Sequence, residues 1–464
     1  MIPTRDAPAA VPLPRPTAPL VTIACLAALV FGAALPVAPW TVAAVSILVP
    51  LAFAAPVASL TVLLAVTVLV PFEVQDSFAV FGGRDRPGLL VVDVLMLLGL
   101  IRVAALLLRG RQLLDRRVLA GLAVAVIMTV ALLWGCALGA SVSEAGHEMR
   151  RVILGCGTFL LALPLVDDAT ARKRLERSML GIALALALWG LAQWFLSVGY
   201  TTSGDVGIRP GVDLTSSGHG QLQGGMYAYP VAVILAWAVV LSGRHRDMRV
   251  QALVTTILLL NGMCLVLTFE RSLWGATAIG CVLVALLSGP AGRRRSVPWA
   301  VGGLTLMVVA AAVAPGQART AVERLLSIRQ VTTDTSVTAR LVESRAVIDA
   351  IIQRPFAGSG FGATVTWGQR DTFATVTTPF AHNGYLWLAW KIGIPAALLV
   401  VALIAAAICR RVRDDSDWAA LRRGSQASLV AMLVICIVFP VFNVLGITAA
   451  MGFLAAVCCS REPR

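Results

Sequence analysis

Charge is scarce in this 464-residue sequence. Only 13% of its residues are charged, against about 25% in ordinary water-soluble domains, and that shortage excludes a freely soluble globular chain. Lysine is nearly missing. Lys173 and Lys391 are the two present, so almost all of the positive side of the +14 formal net charge is arginine. The nine cysteines include no Cys-x-x-Cys pair and no His/Cys cluster at metal-ligand spacing, which argues against a cysteine-built metal site; no cofactor is expected. Most of them (Cys25, Cys136, Cys156, Cys264, Cys281, Cys436, Cys458, Cys459) fall in or beside apolar runs, where a free cysteine behaves as a small hydrophobe. No internal repeat is visible, which weakens a transporter reading because many transporter folds are built from repeats.

What the chain has instead is apolar length. Hydrophobic residues make up 58% of it and its mean hydropathy is +0.85. The apolar runs reach the ~17–25 residues that carry a helix across a bilayer, and lipid leaves closed helices as the economical way to satisfy the backbone. Spans are expected near 20–36, 40–55, 57–71, 88–108, 118–140, 151–166, 178–198, 224–243, 250–268, 272–289, 298–314, 383–408, 426–442 and 444–459. Allowing the short paired runs to merge, the expectation is an all-α polytopic transmembrane bundle of about 12–14 crossings. The first run follows Arg5 and Arg15 like a signal peptide, but more spans come at once, so it reads as a retained anchor.

Basic clusters recur in short connections at 109–117, 171–177, 243–249, 292–295 and 409–413. That placement is the positive-inside pattern and not a nucleic-acid surface. With the N-terminus inside, every one of these clusters falls on the cytoplasmic side. The organisation that follows is a cytoplasmic tail at 1–19, a bundle over 20–314, an external segment at 315–381, C-terminal spans over 382–459 and a short tail at 460–464.

The long external segment is functional or structured, because bare loops of that length are unusual. Within it, Val337, Leu341, Ile348 and Ile352 recur at helical spacing from Ser336 to Gln353, with Arg340, Glu343 and Arg345 off that stripe, which predicts an amphipathic helix. Asp334 or Ser336 is suited to cap its start and Pro355 to end it. AGSGFG follows, with glycines for a tight, backbone-exposed turn.

The same external side carries the residues suited to chemistry. Glu270 and Arg271 stand between two spans with almost no loop to hold them. An arginine at the centre of a span costs about 2.5–3.5 kcal/mol, so even near the interface this one invites a partner; Glu270 or a lipid headgroup would serve. Arg209 and His219 lie in the external loop 199–222, His219 suited to act as a ligand or base, and Glu73, Asp76 and Asp85 in the loop 72–87 offer a carboxylate site for a metal or base; the reading preferred for each alone is an ordinary solvated loop residue. His382 opens the last long span beside Asn383, ahead of Tyr385, Trp387 and Trp390. It is either an interfacial histidine in an aromatic belt or an acid–base group that a neighbouring amide orients. Arginine's planar fork suits phosphate oxygens, and the phosphate ligand native to a membrane is a lipid phosphate or diphosphate. The constellation therefore suggests displacement at a sugar carbon with a lipid diphosphate as leaving group, arginines stabilising its charge and His382 helping to deprotonate an acceptor hydroxyl.

Three stretches carry a resemblance to a known family: LTFERSLWGATAIG, TARLVESRAVIDAIIQRPFAGSGFG and AHNGYLWLAWKIGIPAALL. In order, spacing and topology from about 205 to 410 the chain resembles the O-antigen ligase and O-antigen polymerase superfamily of bacterial membrane glycosyltransferases. The resemblance implies a GT-C-like, metal-independent transfer of a glycan from undecaprenyl diphosphate, on the outer face of the bacterial inner membrane. By the same resemblance Arg271 and Arg209 bind the diphosphate, Arg340 helps hold it, and His382 is the catalytic histidine. Asn383, Glu270 and Arg345 support the site. The implied partners are the polyprenyl-linked donor, a glycan or lipid-linked acceptor, membrane lipids and other polysaccharide-assembly proteins. Glu270 departs from the family's usual serine, Lys391 stands where the family often has an acid, and TSSGHGQLQGG replaces a proline–asparagine pair after Arg209. Polymerase and ligase share these motifs; the arginine-rich composition leans to polymerase or a broad polysaccharide-assembly role. A lipid-linked oligosaccharide flippase, using the same arginines without chemistry, is the alternative.

Overall fold

The computed structural model describes residues 52–70, 90–110, 115–195, 226–243, 247–268, 270–298, 335–368, 375–412 and 417–461. The expected spans 20–36 and 298–314, nearly all of 40–55, and the loop residues Glu73, Asp76, Asp85, Arg209 and His219 lie outside them. The described chain is helical almost throughout. Its helices are α1 (Pro56–Leu69), α2 (Val91–Gly110), α3 (Arg116–Ala137), α4 (Val142–Asp167), α5 (Ala169–Phe195), α6 (Ala228–Ser242), α7 (Met248–Leu267), α8 (Arg271–Leu287), α9 (Thr335–Gln353), α10 (Gly384–Ile392), α11 (Ile394–Ile408), α12 (Asp417–Ile435) and α13 (Leu445–Cys458). Of these, α3, α4, α5 and α7 are long and apolar enough to cross a bilayer; α1, α6, α8, α11 and α13 are shorter apolar helices. One antiparallel ribbon, β1 (Val365–Gly368) with β2 (Thr375–Thr378), interrupts the helices, pairing Val365 with Thr378.

Several helices start where a side chain takes over an orphan amide, α3, α4, α7 and α10 among them. Asp115 accepts from the amide of Arg117 at 2.9 Å ahead of α3. Ser141 caps α4, its Oγ accepting from the Glu144 amide at 3.1 Å and donating to Glu144 Oε2 at 2.9 Å. Because of that cap, α4 begins at Val142 rather than near 151, and SEAGHEM becomes an extra polar first part of the helix. The expected span 383–408 is broken: Gly393, at φ 81°, separates α10 from α11.

α4 and α13 run against each other at the centre with small residues between them. A side chain at Gly452 would run into the carbonyl of Gly155, and one at Gly155 would meet the Thr448 carbonyl oxygen at 2.8 Å. Such close approach is how helices gain packing where no hydrophobic drive exists between them.

At one end of α13, Arg117 bridges Asp115 and Asp167 at 2.6 and 2.8 Å and donates to the Cys459 carbonyl at 3.0 Å. Arg410 donates to the same carbonyl at 2.9 Å, and Arg172 to the Arg461 carbonyl at 2.6 Å. Burial alone would push the Asp115 carboxyl up; hydrogen bonding from Arg117 and the nearby Arg461 bring it down to about 2. This arginine-rich end carries three of the basic clusters of the sequence. The other end of α13, about 20 Å away at ~1.5 Å per residue, carries Asn443 and everything described below.

Two expectations about the external segment are corrected. The helix at Ser336–Gln353 is present as α9, but its buried face is Glu343, Val347 and Ile351 at 3%, 0% and 8% exposure, whereas Leu341, Ile348 and Ile352 are 58%, 41% and 68% exposed. The apolar stripe was assigned to the wrong side, because a carboxylate with a buried partner outcompetes isoleucines for the packed face. Nor is the glycine turn backbone-exposed. Gly358, Gly360, Phe361 and Gly362 are buried, and the turn caps α10: the amides of Ser359 and Gly360 donate to the carbonyls of Trp390 and Lys391 at 2.7 and 3.0 Å. Positive φ values of 67°, 77° and 81° at Gly358, Gly360 and Gly362 let the chain make this contact. On its other side it wedges against α3, where the Phe361 amide reaches the Ala131 carbonyl at 3.2 Å and the Trp134 indole reaches the Gly358 carbonyl at 3.1 Å. A Cβ on Gly135 would collide with the Phe361 backbone. Gly135→Ala is therefore expected to lower stability by about 1–3 kcal/mol, read as a lower unfolding midpoint in detergent.

Candidate active site

His382 is held from two directions by one carboxylate. Glu343 Oε2 lies 2.6 Å from the imidazole Nδ1 and Glu343 Oε1 accepts from the His382 backbone amide at 2.7 Å. The Glu343 side chain is 4% exposed and the imidazole 34%. A carboxylate acceptor at Nδ1 fixes the proton there, which presents Nε2 as the basic nitrogen. The edge of Phe380 meets the imidazole ring at 5.0 Å. Glu343 lies off the apolar stripe of α9 in the sequence, and the spacing of that stripe gives it no role there. The signal for it is an acid at i with Val347 and Ile351 at i+4 and i+8, an acidic member of an otherwise apolar row.

Asn383 does its work on the backbone. Its Oδ1 accepts from the amides of Tyr385 and Leu386, both at 3.0 Å, and so caps α10. The first turn of α10 and the imidazole beside it are thereby set in place by the same dipeptide. Tyr385 anchors the helix further, its hydroxyl donating to the Leu433 carbonyl of α12 at 2.7 Å.

An aromatic row connects the imidazole to the charges of the FER stretch. Phe380 meets Phe439 at 6.2 Å, and Phe439 stacks on Tyr227 at 4.3 Å. Tyr227 is within electrostatic reach of both Glu270 and Arg340. Arg340 is exposed on α9, one turn before Glu343. Glu270 occupies the residue before α8 with no side-chain cap bond of its own, and Arg271 is the first residue of α8; both are half-buried. Arg345 is exposed on α9. The structure thus brings His382, Glu270, Arg271 and Arg340 to one end of the bundle, opposite the arginine-rich network at Arg117. Arg209 lies outside the described residues.

Lys391, fully buried, makes an ion pair with Glu148 of α4 at 2.8 Å, donates to the Ala363 carbonyl at 2.6 Å and lies 4.0 Å over the Trp390 ring. Glu148 Oε2 also accepts from the Gly362 amide at 2.7 Å. Where the resemblance leads one to expect an acid at 391, this chain has the cation, and the acid comes from α4 instead. The pair pins the glycine turn between α4 and α10.

Apolar helices packed together, four of them among the described residues long and apolar enough to cross a bilayer, define a multi-pass helical membrane protein. Residues 254–401, roughly a third of the chain, match the family model described as O-antigen ligase. That match makes the segment similar to the O-antigen ligase superfamily, and supports a membrane function of O-antigen ligase or polymerase type. It spans α8, α9, the glycine turn, α10 and most of α11, and so contains Arg271, Arg340, Glu343 and His382. No curated protein matches the chain.

Proposed function

We propose that the protein is a membrane glycosyltransferase that moves a polyprenyl-diphosphate-linked glycan onto an acceptor hydroxyl at the extracytoplasmic face of the bacterial inner membrane. The observation that carries this reading is the clamp of buried Glu343 on His382 at the end of the bundle where Arg340 and Arg271 stand. His382 Nε2 takes the proton of the acceptor hydroxyl as the acceptor oxygen bonds to the donor sugar carbon. The bond from that carbon to the diphosphate oxygen breaks, and the lipid diphosphate leaves with the electron pair. Arg271, Arg340 and Arg209 balance the charge gathering on it. Glu343 holds the tautomer and stabilises the imidazolium. The arginine-rich opposite end supports the cytoplasmic placement of that end.

The acceptor separates the two members of this reaction class. A polymerase extends the next lipid-linked repeat; a ligase delivers the glycan to a final acceptor such as lipid A-core. The composition favours the polymerase. The test is the purified protein with a polyprenyl-diphosphate oligosaccharide, offered lipid-linked repeat and lipid A-core in turn, with and without chelator. A new glycosidic bond that persists with chelator and disappears in His382→Ala supports the proposal. Translocation of the donor across vesicles with no new bond supports a flippase and ends it. Arg340→Ala and Arg271→Ala are expected to raise the donor KM about 10–100-fold, the loss of one charge-assisted hydrogen bond each, measured by donor titration.

A further inference from the structure

Beside the imidazole lies a second cleft that the transfer step does not use. Its volume is about 230 Å³, and it is lined by Glu148, His147, Arg151, Thr364, Phe380 and Asn443 among others. At ~30 Å³ per water it holds about seven waters, the bulk of a single sugar ring. We propose that this cleft is a saccharide subsite, seating the sugar unit next to the one that reacts; the assignment rests on the transferase reading above.

The cleft is built, not incidental. Glu148 is 5% exposed. Its Oε2 is committed to Lys391 and the Gly362 amide, while Oε1 has no hydrogen-bond partner among the described residues. A buried acceptor left in that state costs about 1–3 kcal/mol, so the site is stabilised by a ligand that brings a donor. Around it, polar groups are held in fixed orientation. Arg151 donates to His147 Nε2 at 2.9 Å, which places the His147 proton on Nδ1, and also to Asn443 Oδ1 at 3.2 Å.

The mixture of charges selects the ligand class. Glu144 and Glu148 oppose an anion, and Arg151 opposes a cation. A neutral polyol, whose hydroxyls donate and accept, satisfies the carboxylate and the hydroxyl of Thr364 alike. Phe380 supplies the apolar ring against which a sugar's C–H face packs, and the same ring edges onto His382 at 5.0 Å. One aromatic ring therefore separates the cleft from the reacting centre, about the step from one sugar to the next. That sugar belongs either to the acceptor glycan or to the donor glycan.

Binding is read first, without turnover. The full chain in detergent is mixed with methyl glucoside, galactoside, mannoside and rhamnoside, and saturation transfer to each is recorded by NMR. At least one glycoside is expected to give transfer that falls about tenfold in Thr364→Val and in His147→Ala, the value of one good hydrogen bond, and that persists in His382→Ala. No transfer from any of the four, or transfer that survives both cleft variants, overturns the subsite even if the enzyme turns over. His147→Gln and the unfolding midpoint of each variant separate loss of binding from loss of fold: unfolded variants are replaced by His147→Gln, whose retained midpoint with unchanged transfer also overturns it. In turnover, His147→Ala raises the KM for the glycan seated in the cleft, acceptor or donor, with kcat within about twofold.

Discussion

Glu343→Gln lowers kcat about 10²- to 10⁴-fold, close to the loss in His382→Ala, and leaves the donor KM near its starting value. The expectation follows from geometry. The Glu343 carboxylate takes both the Nδ1 proton and the backbone amide of His382, at 2.6 and 2.7 Å. Glutamine keeps the shape and can still accept the backbone amide with its carbonyl. Its amide nitrogen then faces Nδ1 as a donor, which moves the ring proton to Nε2 and removes the base. Because the substitution leaves Arg271 and Arg340 in place, donor binding persists while chemistry stops. Single-turnover kinetics with the double variant Glu343→Gln/His382→Ala is the check. A double variant no slower than either single shows the two act as one unit; fully multiplicative losses would show that Glu343 acts elsewhere.

Lys391→Met costs about 3–5 kcal/mol of stability, because it strands a buried carboxylate. Glu148 loses its 2.8 Å partner and keeps only the Gly362 amide as a direct donor on Oε2. The double variant Lys391→Met/Glu148→Leu is expected to recover most of that loss, since replacing both charges by apolar side chains removes the desolvation cost along with the attraction. Thermal unfolding in detergent, followed by tryptophan fluorescence, reads the difference: Trp390 and Trp387 are fully buried beside the pair. If the double variant is as unstable as the sum of both singles, the ion pair is not what pins the glycine turn. Glu148→Leu alone is expected to be nearly as costly as Lys391→Met, for it strands the ammonium instead.

Hydropathy made most of the architecture legible. Apolar length located α1, α2, α3, α6, α7, α8 and α13 within a few residues, since a span has to be apolar over its whole length whatever it packs against. Charge placement sorted the two ends, and Arg117, Arg172 and Arg410 do meet at one of them. Of the residues expected to carry chemistry, His382, Glu270, Arg271 and Arg340 stand at the other end. What the sequence concealed were pairings between distant positions. Glu343 joins His382 across 39 residues, and Glu148 joins Lys391 from another helix altogether. Periodicity found α9 yet mistook its inner face, because spacing ranks side chains by hydrophobicity and is blind to a carboxylate that has a partner. The stretch SVSEAGHEMR falls between two expected spans, and its Ser141 cap makes it the polar head of α4, which brings His147, Glu148 and Arg151 into the structure.

The clamp on His382 joins two separately made parts of the chain. One half rides on α9 in the segment outside the spans; the other opens α10. During synthesis α9 emerges first and α10 later, and the base exists only once both have met. A nascent chain in which α9 has yet to meet α10 therefore lacks the clamp, and a protease cut between α9 and α10 that frees α9 would undo it in the finished protein without touching any helix.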